Sequence, residues 1–334
     1  MSQATSSCQT AQQTLRSLYA PIREDLDQVE AILRRELSSD FPFIDQLVKH
    51  GFRLGGKRLR PALVLLSGQA CGGVRPEHHT LAAVVELIHT ATLIHDDVLD
   101  EATMRRHLET VNARWDNETS VLLGDYLFAR AICLTSSLDD LFAYRALSET
   151  SRVLCEGELR QVGSRGNFAL SEAEYLGIVG AKTAALCACC CRLGSHYAEA
   201  DPELEELFAQ YGHFLGIAFQ IVDDVLDLKG SEAVTGKSLG TDLMKQKPTL
   251  PLIRLLEQLG AADRGDLLAI LTSSDDHRLD RLRPYFQRWD GVSYSQQKAL
   301  VYVRRAKERL DAAPPTPARD TLKQLADFVV MRQE

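Results

Sequence analysis

Two stretches of this chain share five consecutive residues, Asp-Asp-Val-Leu-Asp, at Asp96–Asp100 and Asp223–Asp227. On a helix, positions i, i+1 and i+4 fall within about a 100° wedge, so each copy gathers three carboxylates on one side. Three like charges this close raise one another's pKa and weaken the helix unless cations neutralise them. Carboxylate oxygens suit Mg²⁺, which takes one or two protein carboxylates, keeps several waters and completes its shell with substrate phosphates. A diphosphate is then the natural third party. A solvated acidic face is the bland alternative, but both copies follow apolar runs, Leu81 to Ile94 and Phe214 to Val222, where solubility needs no acids.

Cations at separate points along the chain fit the same chemistry. Gly55-Gly56-Lys57-Arg58-Leu59-Arg60-Pro61 places three basic residues before an apolar helix, where they oppose the helix dipole unless they bind an anion. Lys57 supplies a point charge, and Arg60 a fork that grips phosphate oxygens bidentately. His89 stands two turns before Asp96 on nearly the same face. Such a histidine is commonly a satisfied core group; here it would line the cavity of the first cluster. Arg105 and Arg106 reach that cluster only if the helix ends near Thr103 and the chain turns back. Lys182 and Thr183 lie in a run of small residues, and Gln220 shares a face with Asp223. Lys229 to Pro248, poor in apolar residues, is expected to be a mobile loop carrying Lys237 and Lys247 over an anion.

The elements that must position these groups are helical. Apolar residues recur at spacings of three and four over Leu15–Leu37, Pro61–Cys71, Glu77–Thr103, Trp115–Leu138, Leu141–Val162, Glu172–Ala198 and Pro202–Leu228. The pattern continues over Thr249–Leu259, Leu267–Thr272, Ser295–Leu310 and Ala318–Met331, without sustained strand alternation. The expected fold is an all-α bundle forming one domain over residues 15–334, after a disordered N-terminus at 1–14. Gly72-Gly73, Gly163 to Asn167 and Ala312 to Pro317 are expected turns, and Ser171 with Glu174 a capping box.

Composition bounds the function. The 334 residues carry a formal net charge of −8, which argues against a general nucleic-acid binder. No signal peptide or membrane span is expected, because the apolar runs are interrupted by charged residues. Of the eight cysteines, the group at Cys187, Cys189, Cys190 and Cys191 lacks paired metal-ligand spacing; these are expected to be reduced packing residues in a cytoplasmic protein.

The ordered set of motifs resembles the trans-type isoprenyl diphosphate synthases, of the medium- and long-chain polyprenyl kind. The matching stretches are Gly56–Pro61, His89–Glu101, Met104–Arg106, Gly124–Leu127, Lys182–Thr183, Phe219–Asp227 and Gly236-Lys237 to Pro251. The resemblance implies an all-α isoprenoid synthase fold around a deep central cavity, usually as a homodimer. The implied reaction joins isopentenyl diphosphate to an allylic diphosphate in repeated trans condensations. Asp96, Asp100 and Asp223 would hold Mg²⁺, with Asp97, Asp224, Asp227 and Lys182 completing the catalytic centre. Lys57, Arg60, His89 and Arg106 would bind isopentenyl diphosphate; Arg105, Lys182, Thr183, Gln220, Lys237 and Lys247 would hold the allylic partner. His107-Leu108-Glu109, Asp116 and Lys245-Gln246 depart from the family's usual residues.

Two other readings compete: a class I terpene cyclase, which needs neither a second complete acidic cluster nor a second diphosphate site, and a non-catalytic subunit of a heteromeric prenyl synthase, which typically loses acids from one cluster. Both clusters are intact here. Release of a long product would involve transient membrane contact. Short-chain family members place bulky aromatics one turn before the first cluster, where this chain has Ala91 and Thr92, so the product is expected to exceed farnesyl length. Ala91→Phe should shorten it by mass spectrometry; an unchanged length would place the growing chain elsewhere.

Overall fold

The computed structural model describes residues 13–53, 56–229, 240–273 and 278–331. Lys237, Gly55, Gly236 and residues 1–12 therefore lie outside the described residues. Residues 13 and 14, expected within a disordered N-terminus, are helical.

The chain is a helical bundle. Helices α1 (Arg23–Glu36), α2 (Pro42–Arg53), α3 (Leu59–Cys71) and α4 (Pro76–Leu99) come first. A two-stranded hairpin, β1 (Met104–Arg105) and β2 (Leu108–Glu109), leads to α5 (Asn117–Thr135) and α6 (Phe142–Gly163). Then come α7 (Glu172–Val179), a π-helical turn at Gly180–Ala184, α8 (Ala185–Tyr197) and α9 (Pro202–Lys229). Helices α10 (Leu250–Gln258), α11 (Ala261–Thr272), α12 (Arg278–Arg288), α13 (Gly291–Asp311) and α14 (Pro317–Met331) complete it. α2 and α12 were not expected from periodicity, and the run read as one helix over Glu172–Ala198 contains the π turn.

Ala62–Leu66 of α3 and Leu81–Leu87 of α4 are buried on every side, as expected of helices at the centre of a bundle. Their core extends from Leu18 to Val329; a smaller one joins Leu243 with Leu252–Leu282. Glu172–Tyr197 is apolar and long enough to cross a membrane, contrary to the expectation that no stretch would be. Over half of its most apolar window is buried against other helices, so its apolarity is used in packing. Cys187, Cys189, Cys190 and Cys191 are buried and unpaired in disulfides, and burial pushes the Cys189 thiol up to about 11, so they pack as thiols.

α4 ends one turn earlier than its periodicity suggests. Glu101 adopts a left-handed φ of 47°, with Glu101 N–H donating to Val98 O and Ala102 N–H to Asp97 O, a Schellman-type stop. Arg106 and His107, at φ 52° and 62°, then form a two-residue hairpin turn that sends the chain back. The expected turns also form: Gly72 and Gly166 have positive φ, and Ser171 and Glu174 make the reciprocal capping box.

The π turn is clasped by glycines. A Cβ on Gly157 of α6 would come within 2.6 Å of Lys182 N, and one on Gly216 of α9 within 2.5 Å of Ala184 Cα. Both neighbours are backbone, so neither can yield cheaply. Gly216→Ala is expected to destabilise by about 1–3 kcal/mol in urea unfolding, despite the better helix propensity of alanine. Gly265→Ala in α11, where a Cβ meets nothing within 4 Å, should stabilise by about 0.5–1 kcal/mol.

Candidate active site

The ends of α4 and α9 carry the acidic clusters, and the π turn bridges them with consecutive side chains. Lys182 Nζ donates to Glu158 Oε2 and Gln161 Oε1, both at 2.8 Å, and lies 3.6 Å from Asp96 Oδ2. Thr183 Oγ1 donates to Gln220 Oε1 (2.8 Å), whose amide donates to Asp224 Oδ1 (2.8 Å). A regular helix points adjacent side chains about 100° apart; here that divergence sends one to each cluster. π turns of this kind recur at functional sites.

The carboxylates have different environments. Asp97 is buried, and Arg105, brought back by the hairpin, holds it through Nη2 at 2.8 Å and Nε at 2.9 Å. Burial still raises the Asp97 pKa, with the Arg105 charge opposing it. Asp224 is buried too and accepts from Tyr175 Oη at 2.6 Å; burial, then Asp242, pushes it up to about 8. It therefore adds less negative charge beside Asp223 than its residue type suggests. Asp227 accepts from Thr241 Oγ1 at 3.0 Å and from the Asp242 amide at 3.1 Å, which fixes the chain after α9.

Asp96, Asp100 and Asp223 are only partly buried. Lys247 Nζ lies 3.0 Å from Asp100 Oδ1 and 3.3 Å from Asp242 Oδ1. Burial would raise the Asp100 pKa, but Lys247 and Lys245 hold it below the usual value. Lys247 is buried and pinned in a turn, so in its described part, residues 240–248, the expected mobile loop is folded.

A second group of charges surrounds His89. Burial, then the positive charges of Arg60, Arg106, Arg105 and Arg58, keep its pKa well below the ordinary value, leaving a neutral ring. Arg60 Nε is buried with no hydrogen-bond partner among the described residues, as suits a fork that binds an anion. Arg106 lies against Gly56, and Lys57 Nζ lies 6.0 Å from the Phe328 ring centroid on α14. Between them Arg58 turns away to Glu30 (2.6 Å) and Glu86 (2.7 Å), with a left-handed φ of 53°. That pairing anchors the segment from which Lys57 and Arg60 project.

Below the first cluster, between α4, α5 and α6, lies an apolar cavity of about 230 Å³ whose walls include Ile88, Phe128, Ala131 and Leu147. Ala91 is buried above it. A polar recess of about 390 Å³ opens at the other end of α4, some 30 Å away by helix length, where Glu199 pairs with Arg75 and Asp140 with Tyr197.

Hard oxygen donors at Asp96, Asp100 and Asp223 fit Mg²⁺ better than a softer metal. Among the described residues no three carboxylate, thiol or imidazole groups converge tightly enough to hold an ion alone. A Mg²⁺ ion held there would complete its shell with water and substrate phosphate oxygens. Spacing did not reveal Glu158, Gln161, Arg165, Tyr175, Asp242 or Lys245; all come from other segments, and only the tertiary fold joins them to the clusters.

A helical bundle with two acidic helix ends, a bridging lysine and a separate basic pocket defines the class as an all-α isoprenoid diphosphate enzyme. The polyprenyl synthetase family profile matches residues 41–286. Octaprenyl diphosphate synthase of Escherichia coli (strain K12) is 35% identical over 311 residues, spanning 92% of this chain and 96% of that protein. Heptaprenyl diphosphate synthase component 2 of Bacillus subtilis (strain 168) is 31% identical over 94% of this chain and 90% of its own length. The crystal structure of polyprenyl synthase from Caulobacter crescentus CB15, complexed with calcium and isoprenyl diphosphate, superposes with a TM-score of 0.92 at 34% identity, covering 96% of this chain and 98% of that one. This chain belongs to the polyprenyl synthetase family and is a prenyltransferase.

Arg105→Gln leaves Asp97 buried without its counter-charge and should cost about 3 kcal/mol at pH 7 by chemical denaturation. Arg105 lowers the Asp97 pKa against burial, so its loss raises that pKa further and the folded variant binds the proton more tightly than the folded parent. The penalty should therefore shrink as pH falls through that pKa and grow as pH rises.

Proposed function

We propose that this chain elongates an allylic diphosphate with isopentenyl diphosphate, using Mg²⁺, to a polyprenyl diphosphate longer than farnesyl. The observation that carries this reading is the π turn, which sets Lys182 beside Asp96 and Thr183 on the Gln220–Asp224 chain, as the binding of one diphosphate between two acidic helix ends requires. Asp96, Asp100 and Asp223 are the metal-facing carboxylates; Asp97, Asp224 and Asp227, committed to protein partners, hold them in register. When bound, Mg²⁺ supplies Lewis-acid neutralisation of the leaving diphosphate. Lys182, Lys247 and Arg105 add fixed positive charge where negative charge develops. Lys237, which lies outside the described residues, is assigned to the same diphosphate on the family pattern.

Lys57, Arg60 and Arg106 hold isopentenyl diphosphate, and neutral His89 donates a hydrogen bond to it. A neutral ring keeps its donor without adding repulsion to three neighbouring cations. The cavity below Ala91 takes the growing apolar chain, and Ile88 and Phe128 form its walls. Growth past farnesyl rests on the small side chain at 91 and on the chain lengths in the relatives' names.

Exposed Val121, Leu122 and Ile132 on α5, with Tyr144, Leu159 and Val162 on α6, support assembly as a homodimer. A heteromer is the second reading, favoured by the relative named as a component of its synthase. We place the protein in the cytoplasm on its reduced cysteines, acting as one domain over 15–334 with membrane contact confined to product release.

With Mg²⁺, isopentenyl diphosphate and farnesyl diphosphate, the purified chain should make a ladder of products extending beyond the primer. Asp223→Asn should lower kcat by on the order of 10²- to 10³-fold. No consumption of isopentenyl diphosphate with any allylic primer would bring the non-catalytic subunit reading forward.

A further inference from the structure

Asp100 is approached by cations from two segments outside its own helix. Besides Lys247, Lys245 Nζ lies 3.5 Å and Arg165 Nη2 3.4 Å from Asp100 Oδ1. The same two side chains donate to the carbonyl of Leu99, at 3.2 Å and 3.5 Å. That carbonyl belongs to the last turn of α4, at the negative end of the helix dipole. Each of the two cations thus serves a carboxylate and a helix terminus together.

The donors are held in mutual register. Gly166 N–H donates to Gln246 O at 2.9 Å, tying the turn after α6 to the turn that carries Lys245 and Lys247. Gln246 has a left-handed φ of 55°, a conformation costly for a residue with a Cβ and maintained here by its surroundings. Lys247 divides its charge between Asp100 and Asp242, whereas the Lys245 side chain, 20% exposed, ends at Asp100 and the Leu99 carbonyl.

We propose that Lys245, supported by Arg165, is a positioning residue that stands in for a divalent cation at Asp100. It keeps the carboxylate neutralised and oriented before metal arrives, then has to give way to the incoming ion. This deepens the proposed function and rests on its assignment of Asp100 to the metal. Metal-ligating carboxylates are commonly hydrogen-bonded by outer-shell groups; here those groups include cations that compete with the metal, so the metal requirement is set partly by Lys245. Without Lys245, Lys247 still orients Asp100, and the main change is the loss of a competing charge.

The test uses the full chain with inorganic diphosphate at fixed concentration, following the rise in Tm as Mg²⁺ is added. Lys245→Gln should lower the Mg²⁺ concentration at half-effect by roughly three- to tenfold, the scale of one partly screened charge a few ångströms from a ligand. Lys245→Arg, which keeps the charge, should stay within about twofold of the parent. Lys49→Gln makes the same change in net charge at an exposed pair with Asp45, far from the clusters in sequence and on α2, and should not move the curve. Metal-free Tm values for the variants identify any that fail to fold. A normal parent titration unmoved or weakened by Lys245→Gln overturns this inference alone, as does an equal shift in Lys49→Gln. No Mg²⁺-dependent rise in any protein, the parent included, overturns the metal assignment of Asp100 and this inference with it; primer elongation then decides the function separately.

Discussion

Crowded negative charge is the constraint on which this structure depends. Two helices each end in three aspartates, and such ends cannot approach one anchored substrate unless their repulsion is divided among other groups. The protein does this unequally. Arg105 takes Asp97, burial and the nearby Asp242 charge raise the Asp224 pKa against its two hydrogen-bond donors, and the chain after α9 wraps Asp227 in hydrogen bonds. Asp96, Asp100 and Asp223 are partly exposed, and the proposed metal–diphosphate complex is assigned to them.

Cations complete this arrangement from a distance in sequence. Lys182 comes from the π turn, Arg105 from the hairpin, Lys247 from beyond α9, and each requires a departure from regular helix. The Schellman stop at Glu101 and the left-handed pair Arg106–His107 spend conformational strain to return Arg105 to the helix it follows. The π turn needs close packing by α6 and α9, which explains glycine at positions 157 and 216. Irregular backbone is concentrated where charge must be delivered. The regular helices mainly form the apolar cavity and its walls.

Helical periodicity foresaw α4 and α9 because both are long and strongly apolar before their acidic ends. It missed α2, whose Pro42-Phe43-Ile44 start exposes Phe43, and α12, where arginines interrupt the pattern. The π turn was invisible for a different reason: Gly180–Ala184 has no local signal, and its geometry is imposed by Gly157 and Gly216, which lie in distant parts of the sequence. Arg105 was legible only conditionally, since glutamate at 101 does not advertise a left-handed stop. The paired aspartates were legible as a cluster but not as individuals. Which member of each doublet is buried depends on neighbours such as Tyr175 that no spacing links to them. Lys245 and Arg165 at Asp100 are likewise products of tertiary packing.

The joint action of the two acidic clusters is tested most directly by calorimetric binding of an unreactive thiolo analogue of farnesyl diphosphate, with and without Mg²⁺. If the clusters share one metal–diphosphate complex, Mg²⁺ should tighten binding by on the order of 10²-fold, and either Asp96→Asn or Asp223→Asn should abolish most of that gain. Equal affinity with and without metal, or a gain that survives loss of either aspartate, would contradict it.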